Sequence, residues 1–228
     1  MNIAIIPARG GSKRIPRKNI KEFHGKPMIA YSIGAALNSG CFDKVIVSTD
    51  DKEIAEVAIQ YGAEVPFMRP ANIADDYATT LDVIKHAVEF TDSQNWDVKN
   101  VCCIYATAPF LTPEFIQKGL SELTSVDIDY AFSATSFPFP IQRALKLNHE
   151  QCVEMFQPEY LNTRSQDLEE AYHDAGQFYW GTVEAFLEKK AIFGSNSKAI
   201  LLPRKRVQDI DTPEDWDLAE ALYRVIEC

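Results

Sequence analysis

Short apolar runs alternate with amphipathic stretches along most of the chain. The opening Ile3-Ala4-Ile5-Ile6, inside residues 2–7, is a continuous apolar run of the kind a strand buried on both faces shows. Beyond a loop rich in glycine and basic residues, Met28, Ile29, Ile33, Ala36 and Leu37 recur at helical spacing. Pro27 stands where the first turn begins and Gly40 stops the helix. The pattern then predicts a strand at 45–47, a helix over 51–61 ended by Gly62, a strand at 63–68 and a helix over about 79–90. A strand at 101–105, a helix from Thr112-Pro113 to about 123 and a strand at 130–134 follow. Such alternation predicts an α/β fold: three layers, with a mostly parallel, doubly wound sheet covered on both faces by right-handed crossovers.

The pattern loosens between Phe137 and Asp174, where Pro138, Pro140, Pro158 and the charged stretch 164–170 leave too few apolar residues for a separate core. This predicts one domain over residues 1–228 carrying a small inserted substrate and dimerisation lobe at about 137–195. Regular strands return at 178–180 and 199–202. Thr212 then caps a last helix with Pro213 at its first position and Trp216, Leu218, Ala219, Leu222 and Ile226 as its apolar stripe.

Charge narrows the function. The 228 residues hold 33 acidic and 23 basic side chains, a formal net charge of -10, which argues against broad binding to nucleic acid or an anionic membrane. No apolar run approaches the ~20 residues of a membrane span, and the N-terminus lacks the order of a signal peptide, so a cytoplasmic protein is expected. The cysteines, Cys41, Cys102, Cys103, Cys152 and Cys228, are odd in number and show no C-x-x-C spacing. They read as reduced thiols, with the adjacent Cys102 and Cys103 on opposite faces of a strand. His24, His86, His149 and His173 form no zinc pattern.

Against that acidic background, Arg9, Lys13, Arg14, Arg17 and Lys18 put five cations into the loop Pro7-Ala8-Arg9-Gly10-Gly11-Ser12-Lys13-Arg14-Ile15-Pro16-Arg17-Lys18-Asn19. The glycine pair lets backbone N–H groups approach an anion, and a loop after a parallel strand is where an open α/β sheet binds its ligand. A triphosphate is the natural guest. Neither the Walker pattern nor G-x-G-x-x-G can be threaded through these residues, which disfavours an ATPase and a nicotinamide enzyme. Near the C-terminus lies Gln208-Asp209-Ile210-Asp211-Thr212. If residues 206–210 form a strand, Asp209 and Asp211 share a face, as two carboxylates holding Mg²⁺ would; otherwise Asp209 is a loop residue and Asp211 helps cap the helix.

The opening motif, Val45-Ile46-Val47-Ser48-Thr49-Asp50, Arg69-Pro70-Ala71, Ala106-Thr107-Ala108-Pro109 and Asp209-Ile210-Asp211-Thr212 occur in the order of the acylneuraminate cytidylyltransferases, and the chain resembles that family over its whole length. Within it, Ala171-Tyr172-His173-Asp174-Ala175-Gly176-Gln177-Phe178-Tyr179-Trp180 and Tyr105 are similar to the branch acting on pseudaminic acid. The N-acetylneuraminate enzymes typically carry Gln at the Tyr105 position and Arg-Pro-Asn-Gly in place of His173-Asp174-Ala175-Gly176.

The resemblance implies a nucleotide-diphospho-sugar transferase-like fold and transfer of CMP from CTP to the anomeric hydroxyl of an acidic nine-carbon sugar, with pyrophosphate as the other product. It implies nucleotide binding by Ala8, Arg9, Gly10, Ser12, Lys13, Lys18, Asn19, Arg69 and Ala106. Lys18 would serve the α-phosphate, Arg9 and Lys13 the β and γ groups, and Asp209 with Asp211 Mg²⁺. For the sugar, Arg164 is the candidate for the carboxylate, with Tyr105, His173, Asp174, Gln177 and Tyr179 for polar recognition. The family also implies a homodimer in which an arm of one subunit reaches the other's sugar site, Phe193 lying near the matching region. The alternatives are a cytidylyltransferase for N-acetylneuraminate, legionaminate or 3-deoxy-manno-octulosonate, and a non-catalytic nucleotide-binding module.

Overall fold

A computed structural model describes residues 1–75, 78–125 and 127–227, so Cys228 lies outside the described residues. The chain opens on strand β1 (Asn2–Pro7), a hairpin of β2 (Glu22–Phe23) and β3 (Lys26–Pro27), helix α1 (Met28–Ser39), strand β4 (Lys44–Ser48) and helix α2 (Lys52–Gln60). Helix α3 (Thr80–Ser93), strand β5 (Asn100–Ile104), helix α4 (Pro113–Leu123) and strand β6 (Tyr130–Ser136) continue the alternation. A small hairpin of β7 (Leu145–Leu147) and β8 (Val153–Met155) precedes strand β9 (Tyr172–Thr182), the short helix α5 (Val183–Leu187), strand β10 (Ser197–Leu201) and helix α6 (Pro213–Glu227).

The helix boundaries follow local chemistry. Gly40, in the left-handed region at φ 64°, ends α1, and the Asp51 carboxylate caps α2 by accepting from Ile54 N at 3.0 Å. Thr79 and Asp82 form a reciprocal capping box on α3. Thr212 and Asp215 do the same for α6, through Thr212 N to Asp215 Oδ2 (2.7 Å) and Asp215 N to Thr212 Oγ1 (3.3 Å). Thr112 takes the N-cap position of α4 without a side-chain cap bond.

Six strands form the main sheet in the order β10-β6-β9-β5-β1-β4. β1 is parallel to both β4 and β5, β10 is parallel to β6, and β9 runs antiparallel between β5 and β6. Apart from the edge strand β10, whose Leu201 is exposed, the strands bury both faces over most of their length. Ala4, Ile6, Cys102, Ile104, Phe178 and Trp180 face α1, α2 and α4, while Ile3, Ile5, Val101, Cys103 and Tyr179 face α3 and α5. The two adjacent cysteines therefore do point to opposite faces, and Cys41, Cys102, Cys103 and Cys152 are free thiols. A third cluster joins Ile15 and Phe23 of the first loop to Ile210 and to Trp216 and Ala219 of α6.

The expected strand at 63–68 does not form, and of the two readings open for 206–210 the strand does not form either. Over 63–68 only isolated bridges occur, Ile46 with Glu64 and Thr49 with Met68, because Pro66 lies between them and cannot donate to a ladder. Over 206–210 the chain instead makes a 3₁₀ turn at Arg204–Arg206 and runs on without a strand partner, carried away from β10 at the edge of the sheet. The expected strand at 178–180 is the middle of the much longer β9, which belongs to the main sheet. Its register slips: Phe132 opposes Tyr179 but Ala134 opposes Asp174, so two steps on β6 span five on β9. Ser133 Oγ accepts from the backbone N–H of Gln177 and Phe178 (both 3.1 Å) inside this bulge, and Gly176 takes φ 60°. The segment between β6 and β9 holds the β7–β8 hairpin and short 3₁₀ turns over mostly exposed residues.

Candidate active site

The strand order reverses at β1: the chain moves from β1 to β4 on one side and then to β5 on the other. A crevice opens at such a point, outside the carboxyl ends of the strands. Here it is a cavity of about 400 Å³ lined by Arg9, Ser12, Lys13, Arg14, Lys18 and Asn19 after β1, by Tyr105, Ala106 and Thr107 after β5, and by Asp211 before α6.

The loop after β1 is fastened at several points. Ala8, fully buried, donates its N–H to Ser48 O at 2.9 Å, and Gly10 N donates to Asp50 Oδ1 at 3.0 Å. A β-carbon on Gly10 would lie 2.7 Å from Asp51 Oδ2, so the residue must be glycine for the loop to pass this close to the β4–α2 turn. Asn19, nearly buried, holds the loop's other end by donating from Nδ2 to Arg9 O at 3.0 Å. Lys18 Nζ crosses to the last loop, 2.5 Å from Ile210 O and 3.2 Å from Asp211 Oδ1. Arg14 approaches the same carboxylate at 2.7 Å from Asp211 Oδ2.

Asp209 sits beside this group. Partial desolvation and the neighbouring Asp211 carboxylate push its pKa up, with Lys18 opposing. Among the described residues no group of three or more His, Cys, Asp or Glu could hold a metal. Arg69 does not line the cavity; it is buried and bonded through Nε to Ser48 Oγ (3.2 Å) and through Nη2 to Ser48 O. Burial lowers its pKa, an effect the Asp50 carboxylate counters.

A second cavity of about 260 Å³ adjoins the first, with Tyr105 in the walls of both. Its polar groups are Thr79, Thr80, Asp174 and Tyr179, and its apolar wall includes Leu81, Cys103, Phe186, Ile192 and Phe193. Tyr179 donates to Asp174 Oδ2 at 2.5 Å, and the Tyr105 and Thr80 hydroxyls are 3.3 Å apart. Burial, with Tyr105 and Asp174 alongside, holds the Tyr179 phenol far above its ordinary pKa, so it stays a donor.

Not every residue singled out from sequence reaches a cavity. Ala8 and Gly10 shape the loop from behind, and Gln177 is buried with its Nε2 donating to Arg206 O at 2.5 Å. His173 packs edge-on against Phe137, ring centroids 4.8 Å apart, with its Nδ1 2.8 Å from Asp174 O. Arg164 lies on the exposed lobe in a two-point pair with Asp167 (2.7 and 3.1 Å), away from the residues lining either cavity. Arg17 also leaves the cavity side of the loop and turns to Asp51 and Glu53. Thr80 and Leu81 carry no signal in the sequence, where they are only the start of a helix.

The sequence profile of the cytidylyltransferases matches residues 3–224. The chain belongs to the cytidylyltransferase family. Among cytidylyltransferases, a pseudaminic acid cytidylyltransferase of Campylobacter jejuni is 51% identical over 224 residues, covering 98% of this chain and 97% of the relative. A Helicobacter pylori protein, "Pseudaminic acid cytidylyltransferase and UDP-2,4-diacetamido-2,4,6-trideoxy-beta-L-altropyranose hydrolase", is 41% identical over 226 residues, 99% of this chain and 43% of that longer protein. A CMP:2-keto-3-deoxy-manno-octonic acid synthetase solved with CTP superposes with a TM-score of 0.70 at 17% identity, covering 98% of each chain, which shows the shared α/β fold. The resemblance carried by the five ordered motifs is thus borne out, as is its nearness to the pseudaminic acid branch. Among the described residues no helix of this cytidylyltransferase is long and apolar enough to cross a membrane.

Proposed function

We propose that the protein transfers CMP from CTP to the anomeric hydroxyl of pseudaminic acid, releasing pyrophosphate. The observation that carries this reading is the full-length match, 51% identical, to the Campylobacter jejuni pseudaminic acid cytidylyltransferase. The joined cavities support it, since one is lined with cations and the other is a mixed polar and apolar pocket.

In this reading the sugar hydroxyl attacks the α-phosphorus, the new P–O bond forms, and the bond to pyrophosphate breaks. Negative charge grows on the phosphate oxygens and the leaving group, so catalysis rests on cations already in position. Lys18 serves the α-phosphate, with Arg9 and Lys13 on the β and γ groups. Asn19 and Ala106 face the nucleotide, and Arg69 supports the loop from below. Tyr105, Asp174 and Tyr179 orient the sugar, while the wall of Leu81, Ile192 and Phe193 suits acylated amines and a deoxy carbon.

Asp209 and Asp211 fit Mg²⁺: they are hard oxygen donors, burial and the neighbouring Asp211 charge together raise Asp209's pKa, and they stand beside a phosphate site that would supply further oxygens. When bound, Mg²⁺ would neutralise phosphate charge and acidify the attacking hydroxyl. We further place a homodimer contact on the lobe, where Phe139, Phe156 and Leu161 are exposed by 62–78%, in a protein that works in the cytoplasm.

The test is pyrophosphate release from CTP and Mg²⁺ with pseudaminic acid, beside N-acetylneuraminic acid and a no-sugar control. Release only with pseudaminic acid is expected. Release only with N-acetylneuraminic acid would keep the cytidylyl chemistry and overturn the sugar.

A further inference from the structure

Arg17 is one of the five cations of the first loop, yet its guanidinium faces away from the phosphate cavity. We propose that Arg17 is a positioning residue, whose fork onto Asp51 and Glu53 fixes the loop that presents Arg9, Lys13 and Lys18 to the nucleotide. This role rests on the nucleotide reading of that cavity and falls to a residue that does not line it.

The geometry is specific. Arg17 Nη1 and Nη2 reach Asp51 Oδ2 and Oδ1 at 2.5 and 3.0 Å, and Nη2 also reaches Glu53 Oε2 at 2.5 Å. This is the bidentate pairing that arginine makes and lysine cannot. Arg17 holds it from a left-handed backbone, φ 58° and ψ 27°, which a non-glycine residue seldom adopts. That conformation lets Arg17 O accept from the N–H of Ile20 and Lys21, both at 2.9 Å, closing the turn from which Lys18 projects toward Asp211.

Asp51 meets the loop twice. Its carboxylate accepts from Arg17, and it stands so close to Gly10 that no β-carbon fits between them. The same carboxylate caps α2, which anchors both loop contacts to the sheet's flanking helix. Between Gly10 and Arg17 lie Ser12, Lys13 and Arg14, all lining the cavity. The loop is therefore fastened at Arg17 by the Asp51 carboxylate and at Gly10 by the neighbouring Asp50 carboxylate, with Ser12, Lys13 and Arg14 on the span between.

The test compares wild type with Arg17→Gly, Arg17→Lys, Asp51→Asn and the double variant Arg17→Gly/Asp51→Asn in the full chain. Calorimetry gives the CTP Kd, steady-state assays give kcat and the KM of each substrate, and far-UV circular dichroism confirms folding. Glycine accepts the left-handed turn freely, so its effect isolates the side chain. Arg17→Gly should raise the CTP Kd by at least about fivefold while leaving the sugar KM unchanged, and Arg17→Lys should recover part of the loss. Asp51→Asn keeps a helix cap, should lose CTP affinity likewise, and should cost no more when combined with Arg17→Gly. A smaller loss in Arg17→Gly, or losses that multiply in the double variant, would overturn the proposal. If Arg17→Gly does not fold, Asp51→Asn decides by the same fivefold criterion. Wild type that binds no CTP would instead overturn the nucleotide reading itself.

Discussion

Lys18 and Asp211, 193 positions apart in the chain, meet at 3.2 Å between Nζ and Oδ1, with Lys18 also donating to the backbone oxygen of Ile210. The contact ties the first loop to the last. It is backed by a shared apolar cluster in which Ile15 and Phe23 pack with Ile210 and Trp216. The cations of the first loop and the carboxylate of the last are therefore held together by packing as well as by charge.

Lys18→Ala should remove at least about a hundredfold of kcat, the scale on which single preorganised charges act. Because the amine is partly buried yet sits outside the main core, the variant should keep its circular dichroism spectrum and a cooperative melt. Pyrophosphate release measured beside the melt checks both halves, and turnover near that of wild type would remove Lys18 from its role.

Arg14 competes for Asp211. Its guanidinium lies 2.7 Å from Oδ2, with side-chain exposures of 64% and 39% for the two partners, so the pair is solvent-screened and modest in strength. Arg14→Ala should tighten the binding of Mn²⁺ to the ligand-free protein by a few-fold and weaken CTP binding. Titration of Mn²⁺ followed by its electron paramagnetic resonance signal reads the first change. Unaltered Mn²⁺ affinity would show that Asp211 does not contribute to cation binding in the free protein.

Asp51 should make stability depend on acid. Its hydrogen bonds and charge pairing with Arg17 hold its pKa at about 2, below the ordinary 3.8, so it binds a proton less readily folded than unfolded. The stabilisation is complete above the unfolded value and disappears as pH falls through the folded one. Asp51→Asn should thus cost about 2 kcal/mol of unfolding free energy at neutral pH, and the gap from wild type should close between about pH 4 and pH 2. Urea unfolding at a series of pH values tests this; a gap independent of pH would mean that the carboxylate's charge is not what stabilises the turn.

Tyr179→Phe removes the donor to Asp174 and leaves a buried apolar ring. We expect a rise of about tenfold in the sugar KM with the CTP KM unchanged, since the hydroxyl lies in the second cavity and not the first. Equal changes in both KM values would place the residue's effect in the sheet instead of in the sugar pocket.

Much of this site is legible in the amino-acid sequence because its parts are contiguous there. A buried strand, a glycine-bearing basic loop and a helix with clear start and stop signals make one local unit, and the strand order then forces the loop to the crevice beside β1. The roles within the loop are less legible. Nothing in the order of Lys13, Arg14, Arg17 and Lys18 says which guanidinium turns back to Asp51, since that depends on a left-handed turn and on a carboxylate 34 residues away. The choice between strand and loop at 206–210 is not legible for a similar reason: the sheet ends at β10 and offers these residues no neighbour. Asp174 and Tyr179 stand five apart, an odd spacing that puts side chains on opposite faces of a regular strand, so their hydrogen bond could not be read from the pattern.

The slip in β9 has an outcome for how substrate preference could change within this architecture. Residues 178–182 are phased by their ladders with β5 and β6, with Phe178, Tyr179 and Trp180 fixed by the core on either side, whereas residues 172–174 are phased by a separate run of pairs with Ser136, Thr135 and Ala134 of β6. Shortening or lengthening that bulge by one residue would alter how Asp174 is set against Tyr179, while the pairs on either side of it kept their register. The strand behaves like two rulers joined at Gly176, and a single codon gained or lost there would redraw the polar face of the pocket without a substitution in the sheet.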